Sequence, residues 1–115
     1  MFYKQFTDVP SKPVAMEGAV DVTIREVFTE RDGTPTFQLR IFDVAPGGHT
    51  PLHQHDYEHE IFVLAGRGEV TLGEQVHDIE PGSTALVQPN LLHQFRNPGE
   101  APLLFICLIP NRESH

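Results

Sequence analysis

The chain has 115 residues, the size of one ordinary domain, which can bury roughly two thirds of its unfolded surface. Sixteen acidic against eight basic residues give a formal net charge of −8, which argues against nucleic acid as a partner because that binding depends on neutralising phosphates. The single cysteine, Cys107, excludes an intrachain disulfide, and the absence of a signal-peptide pattern or a long apolar run predicts a cytoplasmic protein that stays out of membranes.

Short apolar segments, separated by ten prolines and nine glycines, predict an all-β chain. Residues 1–19 show no clear period and are interpreted as an N-terminal arm that could lie on a neighbouring subunit, while residues 20–115 form the barrel domain. Alternating apolar residues predict a hairpin with strands over 20–25 and 37–41, a turn at 31–33 and one buried face. By parity alone Arg40 faces solvent on this hairpin, although a place at the mouth of a pocket stays open.

The remaining strands are predicted from the turns between them. Residues 45–48 should turn the chain toward His53 and His55, and a strand follows over 59–64. Further strands are expected near 68–73, 75–79, 84–88, 92–97 and 102–109. The last of these is apolar at every position, so we expect it to be central in the sheet or covered by a second subunit. Eight or nine short strands with regular turns fit a sandwich or a jelly-roll barrel.

Four histidines have spacings that predict a metal site. His53 and His55 are two residues apart, so both rings lie on the same face if this segment is a strand. His59 opens the next strand, and His93 follows a turn that can direct its ring back to the other three. Imidazole suits zinc, copper, iron, nickel and manganese, so the cluster predicts one divalent transition metal ion inside a small barrel. The other histidines lack such partners and are interpreted as surface residues: His49, His77 and His115.

These spacings resemble the two motifs of the cupin superfamily. The first motif is matched by Gly47, His53, His55 and Gly66, with His59 in the slot where the family has glutamate. The second is matched by Gly82, His93 and Asn97, with Gln88 where proline is usual and Asn90 where glycine is usual. Asparagine tolerates the left-handed conformation that a glycine slot often requires.

The resemblance covers about residues 36–109 and is close to the small single-domain, four-histidine, manganese-type cupins of the cupin 2 conserved barrel type. It implies a double-stranded β-helix, or jelly-roll barrel, with one metal ion per subunit, manganese before iron, nickel, copper or zinc. It also implies a homodimer. The family includes dioxygenases, decarboxylases, isomerases, lyases and non-catalytic binding domains, so the resemblance specifies fold and metal site better than it specifies a reaction.

The ligand set and its surroundings suggest what the pocket binds. Four imidazoles leave the two positive charges of the ion uncompensated, so we expect a small anionic or carboxylate-bearing ligand. The resemblance places Arg40 near the cavity, where it could pair with such an anion. Phe95 and Phe105 are expected either in the core or in an apolar pocket wall. Cys107 is either an inert buried thiol or one that oxidises beside a redox-active metal.

Two classes of function follow from these residues. The first is a metal-dependent oxidoreductase, dioxygenase-like or peroxide-using, that oxidises or cleaves a small organic substrate. The second is a non-catalytic module that senses a small carboxylate through the ion, and a metal-dependent isomerase or decarboxylase also stays open. No catalytic residue is assigned beyond the metal ligands, since strand parity turns Glu60, a possible base, away from them.

Overall fold

The computed structural model describes residues 2–111, so the surface position predicted for His115 lies outside the described residues. Two short 3₁₀ helices, Phe6–Asp8 and Glu30–Asp32, accompany the strands of this range. The strands are β1 (Lys12–Pro13), β2 (Val20–Phe28), β3 (Phe37–His49), β4 (His59–Ala65), β5 (Gly68–Leu72), β6 (Gln75–Ile79), β7 (Thr84–Val87), β8 (His93–Arg96) and β9 (Leu103–Pro110). Within residues 2–111 no helix has the length and apolar character needed to cross a bilayer.

The strands pair antiparallel in one curled sheet, in the order β6-β5-β8-β3-β9-β4-β7, with β2 also on β3 and β1 on β2. This arrangement confirms the prediction of an all-β, single-domain jelly-roll barrel. The strands predicted from 59–64 onward are also confirmed, with ends that shift by only a few residues. The N-terminal segment lies along its own barrel, because β1 pairs with β2 through Lys12 and Ile24.

The predicted turn at 45–48 is wrong, because β3 continues through these residues. Val22 pairs with Val44, whereas Val20 pairs with His49, so β3 has extra residues between these two pairs. They form a bulge inside the strand rather than a turn between two strands. The bulge lets one strand pair with β9 over its first part and with β8 at its end.

The β2–β3 hairpin buries both of its faces, so the prediction of one buried face is wrong. Phe42 packs against the main core inside the barrel, whereas Ile41 belongs to a second buried cluster on the outside. That outer cluster also contains Val9, from the N-terminal segment, and Val27. Because the chain covers the outer face itself, the apolar alternation around Ile41 marks that outer face, and Arg40 takes an inner position.

Strand β9 is central, between β3 and β4, as its continuous apolar sequence predicts. Its inward side chains are buried: Leu103, Phe105, Cys107 and Ile109. Its outward side chains stay half-buried: Leu104, Ile106 and Leu108. The inward row of β9 therefore forms the floor on which the histidine-lined cavity of the barrel lies.

Candidate metal centre

A cavity of about 290 Å³ opens into the barrel, and all four predicted ligands line it: His53, His55, His59 and His93. Its walls come from β3, the segment between β3 and β4, the start of β4, and strands β8 and β9. Val14 and Met16 of the N-terminal segment complete the rim. The barrel therefore gathers residues from distant parts of the chain around one small space.

Three of the histidines have ring nitrogens that all lie within 4.8 Å of one another: His53, His55 and His93. Since a metal–nitrogen bond is about 2.0–2.1 Å long, one ion between the three rings needs only small rotations of the side chains. The Nε2 atom of His59 approaches the same point, at 2.5 Å from Nε2 of His55. The ring centroids of His59 and His93 are 5.3 Å apart.

Strand parity does not bring His53 and His55 together, so this part of the prediction is wrong. Residues 54–58 are irregular, and His53 forms only an isolated bridge with His93, through backbone hydrogen bonds of 3.1 and 2.9 Å. The next turn is fixed by Asn90, whose φ is +67° and whose N–H donates to the carbonyl of His55. Asn90 thus adopts the left-handed conformation expected of it.

Three of the rings are oriented by backbone carbonyls within their own loops. The Nδ1–H of His53 donates to Pro51 O at 2.9 Å, that of His55 to Tyr57 O at 2.7 Å, and that of His93 to Leu91 O at 2.8 Å. A proton on Nδ1 leaves the lone pair of Nε2 free for a metal. Metal-binding histidines are oriented in this way in many proteins, since the second ring nitrogen almost always donates to a fixed acceptor.

His59 is oriented differently, by a side chain of a neighbouring strand. It follows the predicted parity of β4 and is buried, and its Nδ1 lies 2.7 Å from Sγ of Cys107, within hydrogen-bond distance. The same sulfur accepts a hydrogen bond of 3.1 Å from Nη2 of Arg40. The buried Nε of Arg40 has no hydrogen-bond partner among the described residues.

Burial keeps two of the imidazoles, His59 and His93, neutral. It lowers the pKa of His59 from 6.5 to about 2, with the positive charge of Arg40 as the second cause, and it also lowers the pKa of His93. Burial raises the pKa of the Cys107 thiol, against the opposing effect of Arg40. Neutral imidazole is the form that coordinates metals, so the site is ready to bind without first releasing protons from these two rings.

The donor set fits a divalent transition metal ion. Three histidines converge within the reach of one ion, their Nδ1 atoms are occupied by carbonyls, and a fourth ring nitrogen points to the same place. Nitrogen donors of this kind accept several first-row metals, so the donor set does not choose among them.

The four residues predicted to line the substrate pocket all lie in the walls of this cavity: Arg40, Phe95, Phe105 and Cys107. Phe105 stacks on Phe95 with ring centroids 4.5 Å apart, and on Phe42 at 5.4 Å. The guanidinium carbon of Arg40 lies 5.1 Å from the centroid of Phe42. Part of the cavity wall is therefore aromatic, with the cation of Arg40 beside it.

Sequence reasoning missed several lining residues, including Phe42, Tyr57, Val14 and Met16. Phe42 shares the inward parity of Arg40 and could have been found once that parity was known. Tyr57 stacks on His55 with centroids 4.0 Å apart, and its place between two histidines of the sequence was a usable signal. No pattern marked Val14 and Met16, because the N-terminal segment has no clear period.

Comparison with known proteins gives one family and several relatives. A family model described as the cupin domain matches residues 40–109. A solved structure of the polyketide cyclase RemF from Streptomyces resistomycificus has a TM-score of 0.90 and 31% identity, over 96% of this chain and 79% of that one. Protein SchB from Streptomyces halstedii is 38% identical over 103 residues, which are 87% of this chain and 72% of SchB.

A further relative is 1-methylthio-D-xylulose 5-phosphate methylsulfurylase from Rhodospirillum rubrum, 35% identical over 85 residues. These residues are 74% of this chain but 54% of the relative, so the chain spans about half of that protein's length.

Proposed function

The chain belongs to the cupin domain family, and we propose that it is a metal-dependent enzyme that closes a ring in a small, oxygen-rich polyketide-type substrate. The observation that carries this proposal is the cavity itself, which is lined by a histidine cluster, a stacked pair of phenylalanines and Arg40. The likeness to the polyketide cyclase RemF supports the proposal because it covers nearly the whole chain.

The cavity favours a flat ligand with an acidic oxygen. Phe95 and Phe105 present aromatic surface to a planar molecule, which gains by stacking on them. Among the described residues that line the cavity, Arg40 alone carries a full charge. A phenolate, enolate or carboxylate oxygen would therefore find its partner in the guanidinium, whose Nε has no other partner among the described residues.

We further propose that His59 is the fourth metal ligand and manganese or zinc the resident ion. A bound divalent ion supplies Lewis acidity, which polarises carbonyl oxygens and stabilises enolates. The residues of the chain then do the rest. Arg40 holds the acidic oxygen, the phenylalanines orient the rings of the substrate and exclude water, and Met16 covers the rim.

The test is the conversion of a short linear poly-β-carbonyl thioester by zinc-loaded protein, followed by mass spectrometry. We expect a cyclic product formed with loss of one water, and no product with His93→Ala. His77→Ala is the matched control, because His77 is an exposed histidine far from the cavity. Conversion by the metal-free protein at an unchanged rate, or binding without conversion, would contradict the proposal. The second outcome would indicate a sensing module instead.

Arg40→Leu tests the anion partner directly. We expect a carboxylated naphthalene to bind zinc-loaded Arg40→Leu roughly 10- to 150-fold more weakly, which corresponds to the loss of a charged hydrogen bond of about 1.5–3 kcal/mol. The measurement is isothermal titration calorimetry, with neutral 2-naphthol as the matched ligand that should lose much less. Equal affinity for the carboxylate would leave Arg40 without this role.

A metal-dependent oxidoreductase is the second candidate, favoured by the apolar walls of the cavity, which would shield reactive species from water. It requires a redox-active metal, whereas ring closure does not. Replacement of manganese or iron by zinc therefore separates the two candidates. Oxygen or peroxide consumption that disappears with zinc supports oxidation, and product formation that persists with zinc supports ring closure.

We also propose a homodimer, in which a second copy covers the outer sheet face. A groove of about 520 Å³ lies there, lined by Leu39, Phe62, Leu86, Ile106 and Leu108. Phe62 and Leu86 are 45% and 51% exposed, whereas Ile41 on the same face is covered by the N-terminal segment. A second copy is the fitting partner because the same apolar strip on both subunits is self-complementary about a two-fold axis.

Light scattering after size exclusion tests this assembly. Leu86→Asp should convert the dimer into a monomer, because it buries a carboxylate in the interface. Val76→Asp is the matched control, since Val76 is 61% exposed but lies on β6, away from the groove. A monomeric wild-type protein at high concentration would contradict the proposal.

A further inference from the structure

We propose that Cys107 is a positioning residue of the metal centre, whose sulfur holds the ring of His59 so that Nε2 faces the other three histidines. The inference rests on the proposed function in one respect, since it takes His59 as the fourth ligand. It adds a role for the cysteine that neither an inert core thiol nor an oxidation-sensitive thiol would have.

His59 has a different kind of hydrogen-bond partner from the other three histidines. The other three rings donate from Nδ1 to backbone carbonyls of their own loops, whereas Nδ1 of His59 has the sulfur of Cys107 as its partner, at 2.7 Å. His59 lies on a regular strand, where the carbonyls are engaged in sheet pairing with β7 and β9. A side-chain acceptor on the neighbouring strand is therefore needed to orient this ring, and Cys107 provides it.

The sulfur itself is held in place by the sheet. Arg40 and Cys107 are direct register partners on β3 and β9, and Nη2 of Arg40 donates to Sγ at 3.1 Å. On the other side, Cys107 is the register partner of Ile61, which shares the inward face of β4 with His59. Three adjacent strands thus carry the guanidinium, the sulfur and the imidazole on the inward face of the sheet, with His59 two residues before the register partner of Cys107.

Burial makes the sulfur of Cys107 hard to replace as the hydrogen-bond partner of His59. Cys107 is 1% exposed and His59 is 8% exposed, so the hydrogen bond between them lies in a buried place where a lost sulfur is hard to replace. Removing the partner that orients a metal-binding histidine typically lowers metal affinity about 10- to 100-fold. The same order of effect is expected here.

Two substitutions separate the effect of the hydrogen-bond acceptor at position 107 from the effect of the volume that this side chain fills. Cys107→Val keeps an apolar side chain of similar size but removes the acceptor, and Cys107→Ser keeps an acceptor at the same position. We expect zinc affinity, measured by competition with a chelator, to fall about 10- to 100-fold in Cys107→Val and to be largely retained in Cys107→Ser. Equal affinity of the wild type and Cys107→Val would overturn the proposal.

Nitrogen-15 NMR of the metal-free protein gives a second readout, and its result for the wild type alone already tests the proposal. We expect the proton of His59 on Nδ1 in the wild type and in Cys107→Ser, and a mixture of tautomers in Cys107→Val. A wild-type His59 that carries its proton on Nε2 would overturn the positioning role.

His59→Ala distinguishes failure of the proposed four-histidine metal centre from failure of the proposed role of Cys107. Zinc affinity that is unchanged in His59→Ala would show that His59 is not a ligand, and the four-histidine centre of the proposed function would then fail. Weakened binding in His59→Ala together with unchanged binding in Cys107→Val would leave that centre intact and remove only the role of Cys107.

Discussion

Acid should destabilise the metal-free protein through His59. The folded chain holds this imidazole neutral, because burial and then the charge of Arg40 lower its pKa from 6.5 to about 2. The unfolded chain restores the ordinary pKa, so below pH 6.5 the unfolded state takes up a proton that the folded state does not. Since the folded-state pKa is the lower one, the stabilisation is present above pH 6.5 and is lost progressively as the pH falls toward 2.

The two pKa values set the size of the effect. From this one residue the free energy of unfolding should fall by about 2.5 kcal/mol between pH 7 and about pH 4.5, at close to 1.4 kcal/mol per unit below the unfolded pKa. His93 contributes in the same direction, because burial lowers its pKa as well. The sum is a large part of the stability of an ordinary domain.

Urea denaturation in the presence of a chelator measures this loss at a series of pH values. Over the same interval the free energy of unfolding of His59→Gln should fall by about 2.5 kcal/mol less than that of the wild type, because glutamine does not titrate. His77→Gln, a change at an exposed histidine, should keep the wild-type dependence. Parallel curves for the wild type and His59→Gln would refute the reasoning.

Three other results are expected. Bound zinc, measured by elemental analysis after dialysis, should be retained as the pH falls below 6.5, because burial lowers the pKa of His59 to about 2 and also lowers that of His93, so protons compete poorly for these two rings. Loss of most of the zinc already at about pH 6 would contradict this. Asn97→Ala should lower the free energy of unfolding, measured by urea denaturation, by about 2–4 kcal/mol. The substitution removes three hydrogen bonds of a side chain that is 1% exposed. An effect below about 1 kcal/mol would be evidence against this. Gly66→Ala should lower the melting temperature more than Gly33→Ala does. A Cβ on Gly66 would lie 2.1 Å from the carbonyl oxygen of Pro102, whereas one on Gly33 would meet nothing within 4 Å. Equal melting temperatures of the two variants would contradict this.

Features that depend on local pattern were predictable from the sequence. Alternation and turn residues placed the strands from β4 to β9, and parity put His59 inside and Glu60 outside. The left-handed conformation of Asn90 followed from its place in a glycine slot of the second motif. In each case the residue's own type and its nearest neighbours decide the conformation.

Features that depend on packing between distant segments were not predictable. Arg40 was assigned to solvent by parity because its apolar neighbours face outward, under a segment about thirty residues earlier that had no recognisable period. The convergence of His53 and His55 was expected from a strand that does not form, and depends instead on hydrogen bonds to two loop carbonyls. The contact between His59 and Cys107 requires the register of β4 on β9, which the sequence does not give.

The charges of the molecule restrict the range of ligands that the cavity is expected to bind. A divalent ion beside Arg40 would put three positive charges into a cavity whose described lining contains no carboxylate, whereas the whole chain has a net charge of −8. The exterior repels anions in proportion to their charge, over a screening distance of about 8 Å at physiological ionic strength. A dianion such as a phosphate ester is therefore disfavoured on approach. For the proposed function, a ligand that is neutral in water, such as a phenol or a β-dicarbonyl compound, would avoid this repulsion and could release its proton inside, where a bound ion and the guanidinium would lower the pKa of its oxygen.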